Sequence, residues 1–203
     1  MNGFADAYIS ALQSAAGELE RPKIEAIVDE VLGVWRRHGT VFTAGNGGSA
    51  STSSHFVCDI TKLTRVDGLA PIRAACLSDN VATHTAWSND TSYEMAFASQ
   101  IDGIVGSSDL LWAISGSGNS PNVLRLVERC RQVDCRSVGL TGFDGGRLAS
   151  IVDIALVVPS TNMQVIEDVH LAICHIVAAS VKGSLENFNR TGDLGVSAED
   201  FHP

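Results

Sequence analysis

The chain has 203 residues, 45% of them hydrophobic and 18% charged, with a formal net charge of −9. This supports one well-buried globular domain and argues against a disordered chain. The acidic balance offers no basic face to nucleic acid, and an anionic ligand needs a local pocket because the overall field repels it. No run of consecutive apolar residues reaches the roughly 18 of a membrane span, and no secretory signal precedes the first helix. The five cysteines form no Cys-x-x-Cys pair. A cytoplasmic protein with reduced core thiols and no membrane partner is expected.

In chain order, Phe4, Tyr8, Ile9, Leu12 and Ala16 share one side of a helix over residues 4–19. A second helix starts near Pro22, with Ile24, Ile27, Val28, Val31, Leu32 and Trp35 as its apolar stripe. It ends at Arg36-Arg37-His38-Gly39, where cations and then a glycine suit a helix C-terminus. This pair precedes the first strand, so it either packs on the core or forms a dimerisation hairpin. Thr40–Ala44 is the first strand, and the loop Gly45-Asn46-Gly47-Gly48-Ser49-Ala50 leads to a polar helix from Ser51 to about Thr61. On that helix His55 and Asp59 are four residues apart and share a face; they can reach one metal ion or one substrate, or form an ordinary solvated pair. Pro71–Leu77 is the second strand, and Ser78-Asp79-Asn80 caps a short helix carrying His84 and Trp87. Ser88–Thr91 is a turn in which Asn89 and Asp90 either only redirect the chain or bind sugar hydroxyls. Residues 93–104 form another amphipathic helix.

The central stretch carries most of the chemistry. Leu110–Ile114 is apolar throughout and predicts a strand buried on both faces. Ser115-Gly116-Ser117-Gly118-Asn119-Ser120 follows, then Pro121 at the first position of a helix with Ser120 as its N-cap. Unpaired backbone N–H groups at a helix start, three hydroxyls and two glycines that admit close approach favour an anion pocket, with phosphate as the expected anion, over an ordinary N-capped strand-to-helix turn. The Gly45–Ser49 loop repeats this arrangement. Neither loop is a dinucleotide fingerprint or a P-loop. Arg136–Leu140 and Asp153–Val158 are the remaining strands, with a loop over 141–146 and a short helix at about 147–150 between them. The last helix runs from near Asn162 to about Asn187, and a polar tail follows over 188–203. Strand–helix alternation implies parallel strands with helices on both faces of a single domain, 1–187, that includes the N-terminal hairpin, 1–39. On the last helix Glu167 and His170 pair best by spacing, whereas His170 alone is as readily a core histidine.

Four stretches together, Gly45–Ser49 with His55, Ser88–Asp90, Ile114–Pro121, and Glu167-Asp-Val-His170 with His175, resemble the sugar isomerase (SIS) domain family, and within it the sedoheptulose 7-phosphate (phosphoheptose) isomerases. The resemblance implies a flavodoxin-like, three-layer α/β fold with a five-stranded parallel sheet, and a homotetramer with active sites between subunits. It implies that Ser115, Gly116, Ser117 and Ser120 hold the substrate phosphate. Asn46, Gly47, Gly48 and Ser49 would line the sugar site, with Asn89, Asp90 and Glu167 also touching substrate. His55, Asp59, Glu167 and His175 would hold one divalent ion, zinc, and Asp59 and His175 would act as base and acid in aldose–ketose isomerisation through an enediol. Two positions depart from the family: Asp59 stands where it has glutamate, and Glu167 where it has glutamine. The shorter Asp59 bears on the reach of the base, and Glu167 adds a negative charge. Residues 167 and 175 lie about 12 Å apart along a helix, so spacing favours His170 as Glu167's partner while the resemblance favours His175. The alternatives are a non-catalytic SIS protein that senses sugar phosphate or scaffolds a protein partner, and an isomerase of another phosphosugar.

Overall fold

The computed structural model describes residues 3–195. Helices α1 (Phe4–Gly17) and α2 (Arg21–Arg36) come first. They are followed by β1 (Thr40–Ala44), α3 (Gly48–Cys58), β2 (Arg73–Cys76), α4 (Val81–Asp90), β3 (Leu110–Ile114) and α5 (Pro121–Arg131). The chain then forms β4 (Arg136–Thr141), α6 (Gly146–Ile151), β5 (Ile154–Val157) and α7 (Met163–Thr191). The five strands form one parallel sheet in the order β2-β1-β3-β4-β5.

Every residue of β3 is buried, as its unbroken apolar run requires for a middle strand covered on both faces. Alternate side chains divide between two cores. Leu110, Trp112 and Ile114 join Ile27 and Val31 of α2 and Ile173 and Val177 of α7. Leu111 and Ala113 join Phe97 and, from α5, Val123, Leu126 and Val127. The result is three layers with the sheet between helices.

The sheet reverses direction between β1 and β3: the chain steps outward from β1 to β2, then returns to β3 and proceeds the other way to β4 and β5. In open α/β sheets, the crevice at the carboxyl ends of the strands beside such a reversal is the usual ligand site. The β1–α3 and β3–α5 loops flank that crevice, so topology alone brings the two glycine/serine loops together.

Several local expectations change. The polar helix starts earlier, at Gly48, because Gly47 turns the chain at φ 55°, and it passes into a π-helical segment, Asp59–Leu63. Ser88, Asn89 and Asp90 are the last turn of α4, not a separate turn; Asn80 caps that helix, its side chain accepting from Thr83 N at 3.0 Å. Residues 93–104 contain two 3₁₀ turns, Tyr93–Met95 and Ala98–Gln100, in place of one α-helix. They still bury Ala96, Phe97, Ala98 and Ile101, so the apolar spacing was right and the helix type wrong. At the end of α2 the left-handed residue is His38 (φ 56°), and Gly39 N–H bonds the Val34 carbonyl. This is the six-residue capping loop with histidine where glycine is usual. Gly39 is needed instead because a Cβ there would collide with the Ser108 carbonyl.

The N-terminal pair divides its roles. Five residues of α2, Ile24, Ile27, Val31, Leu32 and Val34, are buried, whereas α1 buries only Ala15 and leaves Phe4 and Ile9 exposed. Helix α7 continues to Thr191, past the expected end near Asn187; residues 196–203 of the expected tail lie outside the described residues. By length and composition α7 alone would pass as a membrane span, although its apolar residues form no unbroken run of that length. Half of its apolar window is buried in the domain, where it packs on α1, α2 and α3.

Candidate active site

The β3–α5 loop is held by backbone bonds on both sides. Ser115 N donates to Leu140 O (3.0 Å), Gly118 N to Ser115 O (2.9 Å), Gly142 N to Gly116 O (2.9 Å) and Leu148 N to Gly118 O (2.8 Å). Gly118 takes φ 65°, and a Cβ there would strike the Gly145 carbonyl, so only glycine lets the two loops meet. Ser120 occupies the N-cap position of α5 but makes no capping bond; its hydroxyl lies 2.9 Å from that of Ser115. Among the described residues, no protein group accepts from the backbone N–H of Gly116, Ser117 or Ser120. Three hydroxyls and these donors thus gather at the positive end of α5, the arrangement that suits an anion.

Across the crevice, Gly45 of the β1–α3 loop is tied to Ser78, whose hydroxyl donates to its carbonyl (2.9 Å). Gly47 and Gly48 are exposed and Ser49 is buried. The Asn46 carboxamide makes two reciprocal hydrogen bonds with that of Asn122, both 2.9 Å, and Tyr93 Oη donates to Asn46 Oδ1 at 2.8 Å. Asn122 and Tyr93 were not anticipated. Asn122 had a signal, a polar residue in the first turn of α5 on its buried face; Tyr93 had none.

The first turns of α7 form a wall shared by both loops. A Cβ on Gly116 would meet Met163 Sδ at 2.5 Å, and one on Gly48 would meet the two carboxylate oxygens of Glu167 at 2.5 and 2.6 Å. Further along, His175 meets His55: their Nε2 atoms are 2.9 Å apart, and Asp59 Oδ2 lies 3.4 Å from His55 Nε2 and 3.7 Å from His175 Nε2. These three ligand-type atoms converge within 4.8 Å of one another, so the cluster can hold a metal ion. The shorter side chain of Asp59 therefore still reaches both imidazoles. His55 and His175 are half exposed and Asp59 is mostly covered (48, 51 and 19%). An open recess of about 560 Å³, lined by Ser51, Ser54, His55, Cys58, Ser78 and Asp79, adjoins His55.

Not every expected partner joins the cluster. Glu167 stays outside the three-residue group, with its carboxylate over Gly48. His170 has no exposed surface, and its Nε2 donates to the Thr141 carbonyl at 3.0 Å. Burial lowers its pKa to about 4, against the opposing effect of that carbonyl. It is a neutral core histidine, and the Glu167–His170 chelate suggested by spacing does not form. Asn89 and Asp90 are exposed and hydrogen-bonded to each other at 2.9 Å. Among the described residues, no hydrogen bond or ion pair joins either of them to the two loops or the His/Asp cluster. Cys174, next to His175, is buried, and burial first and the Asp59 charge second push its thiol pKa up, which disfavours the thiolate.

The family model described as SIS domain matches residues 5–142. The phosphoheptose isomerase of Geobacter sp. (strain M21) is 34% identical over 179 residues, covering 88% of this chain and 92% of the relative. The solved structure of a phosphoheptose isomerase from Francisella tularensis is similar with a TM-score of 0.79 and 30% identity, and that of Neisseria gonorrhoeae with 0.78 and 29%. Each covers 87% of this chain and 93% of the solved one.

Proposed function

The chain belongs to the SIS domain family and, within it, to the phosphoheptose isomerases, so it is a phosphosugar isomerase, and we propose that it interconverts sedoheptulose 7-phosphate and D-glycero-D-manno-heptose 7-phosphate. One observation carries the reading of the site. Along a single helix, α7, one end backs the hydroxyl-rich anion loop at Met163, the next turn faces the sugar loop at Glu167, and His175 meets His55 and Asp59 further on. A donor nest for phosphate and a cluster of proton-transfer groups therefore share one wall.

In this reading Ser115, Ser117 and Ser120 and the α5 N-terminus hold the phosphate, and Gly116 lets it approach the backbone. That remote binding energy orients the reacting carbons. Asn46, Gly47, Gly48 and Ser49 line the sugar, with Glu167 beside them. Asn89 and Asp90, exposed on the last turn of α4 and three to four residues before Tyr93, are kept as groups for the sugar hydroxyls. Asp59 removes the proton from the carbon next to the carbonyl, an enediol forms, and the proton returns to the neighbouring carbon while His175 serves the oxygen.

The donor set also suits zinc: two imidazole nitrogens and one carboxylate oxygen, whose separations of 2.9, 3.4 and 3.7 Å bracket the roughly 3.3 Å expected of neighbouring ligands in a tetrahedral zinc site. His55, Asp59 and His175 would hold the ion with a position left open, and the ion would supply polarisation of the substrate carbonyl. Glu167 stands outside the three-residue group, over Gly48, and is read as a sugar-site residue. The exposure of the two histidines supports an assembly in which a second copy of the chain closes the site, a homotetramer in our reading, located in the cytoplasm. Incubation with a panel of C5 to C7 ketose phosphates, followed by detection of the aldose phosphate, tests the proposal. Turnover of sedoheptulose 7-phosphate above the shorter ketoses is expected. Binding without turnover of any of them would leave a sensor or scaffold.

A further inference from the structure

We infer that Asn122 and Tyr93 are positioning residues that lock the carboxamide of Asn46, so that Asn46 meets the sugar only as a hydrogen-bond donor. The inference rests on the reading of Asn46 as a sugar-site residue. Asn122 is the second residue of α5 and has no exposed surface. Its pairing with Asn46 joins the sugar loop directly to the helix start that forms the phosphate nest.

The main chain fixes which amide atom is which, a choice otherwise open for asparagine. Val123 N–H can only donate, and it lies 3.0 Å from Asn122 Oδ1, so that atom is the oxygen. Asn122 Nδ2 then donates to Asn46 Oδ1, and Asn46 Nδ2 donates to Asn122 Oδ1. Tyr93 Oη, 2.8 Å from Asn46 Oδ1, must donate as well. Both acceptor positions of Asn46 Oδ1 are now filled, and one N–H of Nδ2 is left over. Rotating Asn46 by half a turn would set amino group against amino group and oxygen against oxygen, leaving buried polar atoms unpaired. The residual N–H therefore has a fixed direction and suits an oxygen acceptor on the sugar. Tyr93 is 53% exposed and edge-on to His84, ring centroids 5.7 Å apart, so removing its hydroxyl disturbs little else.

The test is a double-variant cycle measured on sedoheptulose 7-phosphate, with kcat, KM and melting temperature for wild type, Tyr93→Phe, Asn46→Ala and the pair. Tyr93→Phe should lower the melting temperature by no more than about 4 °C, the cost of one exposed internal hydrogen bond, and raise KM roughly 5- to 10-fold with little change in kcat. In the Asn46→Ala background the same change should have no further effect, because Tyr93 acts through Asn46. Asn122→Asp keeps the shape and the one oxygen that accepts from Val123 and Asn46 but replaces the donating amino group by a second oxygen, and should raise KM at least as far. No rise on Tyr93→Phe, or an equal rise in both backgrounds, overturns the inference even if Asn122→Asp fails to fold. A wild type that turns over the ketose while the cycle is additive sinks this inference alone. A wild type that neither binds nor converts any C5 to C7 ketose phosphate sinks the isomerase reading and this inference with it.

Discussion

His170 and His175 are five residues apart on α7 and face different surroundings, and replacing His170 distinguishes a core group from a ligand. In the fold its pKa is lowered to about 4 by burial; in the unfolded chain it lies near the ordinary 6.5. As pH falls through that interval the unfolded chain takes up a proton that the native state refuses, so the native state loses stability. Across the gap of about 2.5 pH units the loss amounts to about 3 kcal/mol, complete near pH 4 and absent above about pH 7. His170→Gln retains an N–H for the Thr141 carbonyl and cannot titrate. Urea unfolding of wild type and variant from pH 8 to pH 4, at one protein concentration, gives the difference directly. The wild type should lose about 3 kcal/mol more than the variant over that range, with the steepest change between pH 6.5 and 4. Parallel curves would mean that His170 is solvated in the native protein, and the chelate with Glu167 would return to consideration.

Asp59→Asn should lower kcat by roughly 10²- to 10⁴-fold while leaving inhibition by inorganic phosphate within about threefold; turnover within tenfold of wild type removes Asp59 as the base. Ser115→Ala deletes a buried hydroxyl 2.9 Å from Ser120 and should raise KM for the sugar phosphate roughly 10- to 100-fold; an unchanged KM moves the phosphate elsewhere. Zinc content after dialysis should be one per chain in wild type and His170→Gln and should fall in His175→Ala; loss in the first variant or retention in the second contradicts the ligand assignment. Because Ser115–Ser120 contains no lysine or arginine and the chain carries a net −9, raising salt to about 0.3 M should lower KM or leave it unchanged; a steep rise would reveal a cation in the site.

What the sequence disclosed divides along physical lines. The β3 run and the Ser115–Ser120 loop were legible because burial on both faces and glycine/hydroxyl chemistry are local properties. The cap at Asn80 and the start of the last helix near Asn162 were legible for the same reason. Pairing across the chain was not. Spacing put Glu167 with His170 because i, i+3 residues lie about 60° apart around a helix. The sheet decides differently: it turns His170 into the core against Thr141, leaving Glu167 at the sugar loop and His175 at α3. Family resemblance supplied His175, which periodicity could not. Ser120 shows a local rule overridden, since its hydroxyl forgoes the helix cap for Ser115. Tyr93 lies in a 3₁₀ turn whose apolar spacing imitates an α-helix, and its bond to Asn46 spans a sequence gap that no local pattern reports.

The charge balance explains the form of the anion site. A chain with a net −9 must collect a dianion against its own field. Arginines are available nearby but committed: Arg147 bonds Glu128 at 2.6 Å, and Arg125 bonds Glu128 at 3.0 Å. The loop relies on hydroxyls, backbone N–H groups and the α5 dipole, whose donors are fixed by the fold before the ligand arrives. Such donors hold phosphate by direction as much as by charge, so their worth depends on the loop staying rigid. That rigidity comes from the bond of Gly116 to the next loop and of Gly118 to α6, the close fit of Met163 and the Asn46–Asn122 pair. The glycines are thus as necessary to the anion site as the serines: without them the loops could not approach closely enough to keep the donors aimed at one point.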